Sequence, residues 1–351
     1  MTTSLALLAP AQTASADPKV TPLTTDVAAP FNLAVTPEGI YVADGFPGIV
    51  SRLNGGALTP VVTGAEGVAG VDVQGNHLAY TTTVSDPNTF ETTASALHIK
   101  GPGGTVVADT WAYENANNPD QVNTYGIANP TQCQLDGLGP YAHYTGALDS
   151  HPYSVTAWHD KWIVAEAAGN DLLMVDAAGH ISTLAVLPPQ PAVITTDFAK
   201  SNDLDPKCFA GVTYAFEPVP TDVEVGRNGM LFVTTLPGGA EGPELGARGS
   251  VYRVNPWTGH VKQLATGFLG ATNLAIGPRG RIYVAELFGG QISYVRHHHP
   301  HAFVDLPGVV AIEQGPRQGE LYAGTLDPAF TGPGSIVKVC AGCNAHPIWT
   351  S

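Results

Sequence analysis

Positive charge is scarce in this chain. Its 351 residues carry 15 Lys and Arg against 30 Asp and Glu, a formal net charge of −15. Such a balance repels phosphate backbones and anionic lipid, so no nucleic-acid partner is expected. Charged residues of either sign make up only 13%. Long hydrophobic runs are missing as well: nothing approaches the roughly 20 apolar residues of a membrane-spanning helix. Sustained 3.6-residue periodicity is also lacking, which argues against a helical protein. There is no Gly-x-Ser-x-Gly elbow, and no Ser-His-Asp set follows from spacing alone.

Turn residues are abundant instead, with 40 Gly and 29 Pro, and they punctuate a phrase that returns six times. Its clearest copies are Pro30-Phe31-Asn32-Leu33-Ala34-Val35 and Ala271-Thr272-Asn273-Leu274-Ala275-Ile276. Looser copies are centred on Val71, Val155, Val223 and Val310. Each is followed by a turn and a second apolar run, such as Ile40-Tyr41-Val42-Ala43-Asp44 or Ile282-Tyr283-Val284-Ala285-Glu286. Short β-branched runs bounded by turn residues are strands, and a repeat of about 40 to 50 residues marks a propeller, solenoid or array. Third and fourth runs fill out each unit, for example Gly48 to Leu53 and Leu58 to Thr63. The expected fold is all-β: a six-bladed β-propeller of four-stranded blades. Blade six runs out of chain after three strands, while Val20-Thr21-Pro22-Leu23-Thr24-Thr25 resembles a fourth strand. An N-terminal strand is therefore expected to close the ring and hide an open edge, with the tail His346 to Ser351 as the competitor for that slot.

Ser4 to Pro10 followed by Ala14-Ser15-Ala16 reads as the end of a secretory signal. Residues 1–16 are taken as that remnant and 17–351 as the propeller, a secreted, monomeric protein. Insertions fall on one face: 84–93, 236–248 and 326–334, with two long segments at 111–150 and 188–220. Together they are expected to cap the central channel. Cys133 and Cys208 lie one in each long segment, and Cys340 and Cys343 form a C-x-x-C; in a secreted chain both pairs read as disulfides. His297-His298-His299-Pro300-His301 falls on the opposite face and could hold copper or zinc, though adjacent histidines in a turn diverge.

Several stretches carry a resemblance: His151-Pro152-Tyr153-Ser154-Val155, Gly169-Asn170-Asp171-Leu172-Leu173, Val219-Pro220-Thr221-Asp222-Val223, Gly246 to Tyr252 and Ala271 to Leu287. Together they resemble the ScyD/ScyE family of exported proteins, relatives of NHL-type six-bladed propellers. The resemblance implies the fold and export, and brings no settled reaction. The wider six-bladed class includes gluconolactonases, paraoxonases and strictosidine synthases, and fold alone does not carry function.

One inner-strand position supplies Asn32, Gly70, Ser154, Asp222, Asn273 and Val309; the second strands end at Asp44, Thr82, Glu166, Thr235, Glu286 and Thr325. Oxygen ligands converging on an axis suit calcium. Asn32, Asp222 and Asn273 are similar, residue by residue, to the metal ligands of calcium-dependent propeller lactonases, and Ser154 departs from that pattern. The same residues serve equally well to hydrogen-bond neighbouring blades. Arg248 is the main candidate counter-charge. His151 is the candidate proton shuttle, or else a surface loop histidine. Asp44, Tyr153, Glu166 and Glu286 are the candidate ligand-binding residues, and cap aromatics such as Tyr125 and Tyr144 stack on a sugar or planar ligand or simply pack the cap. Two functions remain open: a propeller binding a small-molecule, glycan or other polymeric ligand at its capped face, and a calcium-dependent hydrolase or lactonase, or natural-product enzyme, working at the channel mouth.

Overall fold

A computed structural model describes residues 18–239, 243–329 and 331–343. The segment 1–16, expected to be a signal remnant, and the competing C-terminal tail lie outside these residues. The described chain forms seven four-stranded antiparallel sheets. Six are the blades. Their inner strands are Pro30–Thr36, Val71–Gln74, Pro152–Trp158, Pro220–Val225, Ala271–Ile276 and Val309–Gln314, and the second strands are Gly39–Asp44, His77–Ser85, Lys161–Glu166, Leu231–Thr235, Ile282–Glu286 and Glu320–Thr325. Valine, isoleucine and leucine on alternate positions bury between neighbouring blades. Ile163, Leu172 and Tyr252, for instance, share one cluster across blades 3 and 4.

The ring closes as expected. Lys19–Val27 pairs antiparallel with Gly334–Cys340, the third strand of blade 6, with Val20 opposite Val339 and Val27 opposite Gly334. Val27 and Ala29 are buried with Ile336 and Leu326 in the cluster joining blades 6 and 1.

Five inner strands share an irregularity that their sequence does not announce. Pairing with the second strand slips between Pro30 and Asn32, Pro152 and Ser154, Pro220 and Asp222, Ala271 and Asn273, and Val309 and Ala311. A bulge of this kind re-aims side chains and clusters near functional rims. It also corrects one assignment: counted from the slip, the blade 6 partner of Asn32 is Ala311, not Val309. Blade 2 has Gly70 at this position because a Cβ there would lie 2.8 Å from the Ser154 Cα.

The two long insertions are more ordered than the loops their sequence foretold. They combine into the seventh sheet, made of His143–Thr145, Thr124–Gly126, Thr213–Phe216 and Gln190–Val193 in that spatial order. Short helices at Thr110–Asn117, Gln132–Leu138, Thr196–Ser201 and Pro206–Phe209 surround it. Strands of three or four residues are too short to show a period. Ile127, Ile194, Phe198, Phe209 and Phe216 form a core of the cap's own, and Cys133–Cys208 joins its two halves across a Cα separation of 6.2 Å. Cys340–Cys343 bridges the end of blade 6 locally. The insertion expected at 84–93 shrinks, because strands His77–Ser85 and Thr92–Gly101 extend into it.

Candidate functional site

The bulged position brings four polar side chains into the channel. Asn32, Ser154, Asp222 and Asn273 are all buried. Ser154 Oγ donates to Asp222 Oδ1 at 2.5 Å, and Asn32 Nδ2 reaches the same oxygen at 3.4 Å from across the ring. The remaining oxygens bind the next blade: Asn32 Oδ1 accepts from Val71 N, Asp222 Oδ2 from Leu274 N at 2.9 Å, and Asn273 Oδ1 from Ile312 N at 2.8 Å. Each amide or carboxylate thus stitches one inner strand to its neighbour, and the Asn32–Ser154–Asp222 contacts cross the channel. Desolvation pushes the Asp222 carboxyl up to about 6 against the pull of these donors. In this arrangement the oxygens proposed for calcium are taken up by hydrogen bonds, so they do not present an open coordination shell. Arg248 is not their counter-charge: its Nη2 donates to Pro237 O and Gly238 O, and its guanidinium lies 4.6 Å from the Phe216 ring centre in the cap.

Above this layer, at the face where inner strands begin, the side chains are aromatic. Phe46 meets Phe31 edge-on at 5.8 Å between centroids, Phe31 meets Tyr153 at 6.1 Å, and Tyr153 meets His151 at 5.8 Å. The run spans blades 1 and 3, past the glycine of blade 2. Phe46 is 69% exposed, so the run ends in an apolar ring open to solvent at the rim. Burial and then the charge of Asp222 beneath it raise the Tyr153 hydroxyl. His151 is open to solvent at its edge, yet desolvation by the groups around it lowers its imidazole, partly offset by Asp149.

The carboxylates that end second strands do different work. Asp44 accepts from Ala28 N and from Ala29 N at 2.6 Å. Glu286 accepts from Leu269 N at 2.6 Å, from Gln291 Nε2 and from Ser293 Oγ. Both pin the crossover that enters their own blade. Glu166 does likewise with Ser150 Oγ at 3.1 Å and Gly169 N, but it also joins Glu114, Asp120 and Asp171 in a buried acidic group under the cap. Glu114 and Asp120 sit in an insertion with no repeat to compare, so sequence reasoning missed them. The face-to-face pairing of Glu166 with Asp171 was readable as two acids bracketing a four-residue turn.

A second acidic group, also missed, stands at the opposite mouth. Asp72, Glu224 and Glu313 line a cavity of about 480 Å³ with Val35, Val73 and Thr156. Burial raises all three, and repulsion from neighbouring acids adds to it for Glu224 and Glu313, which share a hydrogen bond; Glu313 stands at about 8. Alternation explains the miss: two residues beyond the bulged position each inner strand again faces the axis, so Glu224 follows Asp222.

Among the described residues, Cys133, Asp205 and Cys208 are the only three His, Cys, Asp or Glu groups with ligand atoms within 4.8 Å of one another. Two of them form a disulfide, so this is no metal centre. The histidine cluster is dispersed: His297 and His298 occupy a left-handed turn while His299 and His301 continue into the outer strand of blade 5. No helix of the described residues is long and apolar enough to cross a membrane.

No protein-family model matches the sequence, and no curated protein does. Solved structures do resemble it. An aldose sugar dehydrogenase from Streptomyces coelicolor, solved with PQQ bound, superposes with a TM-score of 0.54 at 12% identity, covering 93% of this chain and 98% of its own. A putative gluconolactonase gives 0.54 at 10% identity, covering 95% of each. An inactive virginiamycin B lyase from Staphylococcus aureus, solved with quinupristin, gives 0.51 at 13% identity over 92% and 99%. At these identities the likeness is one of fold, and the chain is a multi-bladed β-propeller.

Proposed function

We propose that this chain is a secreted, ligand-binding propeller whose capped face takes a small planar molecule or the aromatic or sugar unit of a larger one. The observation that carries this reading is the run Phe46–Phe31–Tyr153–His151 over the channel mouth. Its rings lie 5.8 to 6.1 Å apart in sequence around the rim. Aromatic faces recognise rings and sugars through stacking and apolar contact, and a polar floor of Asn32, Ser154 and Asp222 supplies orientation. The hydrogen bonds crossing the channel favour binding at its mouth over passage through it. Export rests on the resemblance to ScyD/ScyE proteins and on the apolar N-terminal segment.

A thermal-shift and calorimetric screen of aryl glycosides and free oligosaccharides tests the reading. At least one aryl probe should bind, and Tyr153→Ala and Phe31→Ala should each weaken it by about tenfold, the loss of roughly 1.4 kcal/mol of stacking. Failure of every aryl and sugar probe, or binding indifferent to both variants, overturns it.

One observation favours a second reading, an enzyme at the same mouth. Asp222, with its carboxyl at about 6, lies below Tyr153 and His151, a set able to hold and release a proton near neutrality. The propellers it resembles in fold include a lyase and a putative lactonase. A calcium on Asn32, Asp222 and Asn273 belongs to this reading and requires those side chains to leave their strand-to-strand bonds. Lactone hydrolysis that disappears on chelation and in Asp222→Asn would establish it.

A further inference from the structure

The buried acids beneath the cap form a group that hydrogen bonding does not explain. Glu114 comes from helix Thr110–Asn117 and Asp120 from the turn that follows; Glu166 and Asp171 face each other across the second hairpin of blade 3. All four are at least nine-tenths buried: Glu114 is 4% exposed, Asp120 0%, Glu166 1% and Asp171 1%. Asp120 Oδ2 accepts from Asn170 Nδ2 at 2.9 Å and from Tyr125 Oη at 3.1 Å, and Glu166 accepts from Ser150 and Gly169. The rest have nothing. Glu114 Oε1, Asp120 Oδ1 and both carboxylate oxygens of Asp171 are buried without a hydrogen-bond partner, as is Asn118 Oδ1 on the same loop.

Two glycines make the room. A Cβ on Gly169 would lie 2.8 Å from Glu166 Oε2 and 3.3 Å from Glu114 Oε2, and one on Gly146 would collide with Asp120 Oδ1. No lysine, arginine or imidazole charge figures among the influences on these four acids, His151 offering Glu166 only its backbone N–H; each feels burial and other carboxylates or neutral donors. Protonation would remove the charge but not the orphaned oxygens, because Asp171 has no acceptor to donate to and no donor to accept from. A buried polar atom left without a partner costs on the order of 1–3 kcal/mol, and Asp171 carries two. A cation satisfies oxygens and charge together. Several carboxylate oxygens with an amide oxygen beside them are the donor set of a hard divalent ion.

We propose that Glu114, Asp120, Glu166 and Asp171 bind a divalent cation of the calcium class, which clamps the cap onto blade 3. No three of these acids bring oxygens within 4.8 Å of one another, as repulsion between like charges dictates. The ion therefore draws them inward, and Glu114, whose carboxylate no hydrogen bond holds, moves furthest. This site is separate from the channel, and the mouth reading does not depend on it.

The whole chain, stripped with EDTA and returned to pH 7.5, is titrated with Ca²⁺ by calorimetry and with Tb³⁺ by luminescence. Tyr125, hydrogen-bonded to Asp120, serves as the antenna. Saturable uptake with sensitised emission and a Ca²⁺-dependent rise in melting temperature is expected. Asp171→Asn and Glu114→Gln should each fold and weaken uptake by at least about tenfold, whereas Asp222→Asn should leave it intact. No uptake at millimolar Ca²⁺ overturns the proposal, and so does uptake unchanged in both cap-junction variants or lost only in Asp222→Asn.

Discussion

Asp222 shows how much one side chain holds in place. Its two oxygens receive Ser154 Oγ, Asn32 Nδ2 and Leu274 N, so blades 1, 3, 4 and 5 meet at one carboxylate. Replacing it with alanine strands three donors in a buried layer. The loss should be about 2–4 kcal/mol by denaturant unfolding, with unchanged m-value, since each abandoned buried group costs about 1–3 kcal/mol and some relaxation follows. A neutral effect would mean the donors find other partners. At this scale the sequence was legible wherever the repeat aligned residues: Asn32, Ser154, Asp222 and Asn273 fall together because equal positions in equal blades face one axis. It was not legible for Glu114 or Asp120, which no other copy matches, nor for the partners of Asp44 and Glu286, whose oxygens hold the crossovers entering their own blades.

Strands and their pairings come next. Lys19–Val27 completes blade 6 by pairing with a strand more than 300 residues later in the chain, Gly334–Cys340. Deleting Lys19–Val27 leaves Ser335 to Val339 with an open hydrogen-bonding edge and uncovers Ile336, so the truncated chain should run as oligomers or aggregate in size-exclusion chromatography with light scattering. A monomeric, fully stable truncation would contradict the closure. The strand was recognisable because its alternation of valine, leucine and threonine repeats that of Leu58 to Thr63. The cap sheet was not. Thr124–Gly126 and Thr213–Phe216 are adjacent only after two insertions, separated by the whole of blade 3, fold back on each other.

Acidity is a property of the whole molecule, and it gathers in buried places. Burial lifts Asp72 and Asp222 to about 6; burial first, with repulsion among neighbours, lifts Glu114 to about 7 and Glu166 and Glu313 to about 8, while Glu224 and Asp171 rise well above their ordinary values. The groups facing them are further acids, Asp120 and Asp149, with Tyr125, Ser150 and Asn170 as neutral donors. Raised carboxyls keep protons that the unfolded chain has already released above about pH 4, so the folded state binds more protons and stability falls as pH rises. In EDTA the melting temperature should therefore decline steadily from pH 5 to pH 8.5. Added Ca²⁺ should recover most of the loss at the alkaline end, where the cap-junction acids can ionise for it. A flat profile in EDTA would mean that these acids are hydrated in the folded protein.

The sequence by itself determined the number of blades, the closing strand, both disulfide pairings and the polar layer of the channel. The blades, the strand and the layer follow from local alternation, turn chemistry and repetition, which are written in neighbouring residues; the disulfides follow from one cysteine falling in each long insertion and from the C-x-x-C spacing. Only the tertiary structure decided how the bulge after the first inner-strand residue aims Asn32 and its counterparts, that two insertions become one sheet, and that acids from helix, turn and hairpin converge under it. Those outcomes depend on which surfaces meet once the ring is closed. A carboxylate at position 114 and another at 171 carry no mark of each other until burial forces them into the same space.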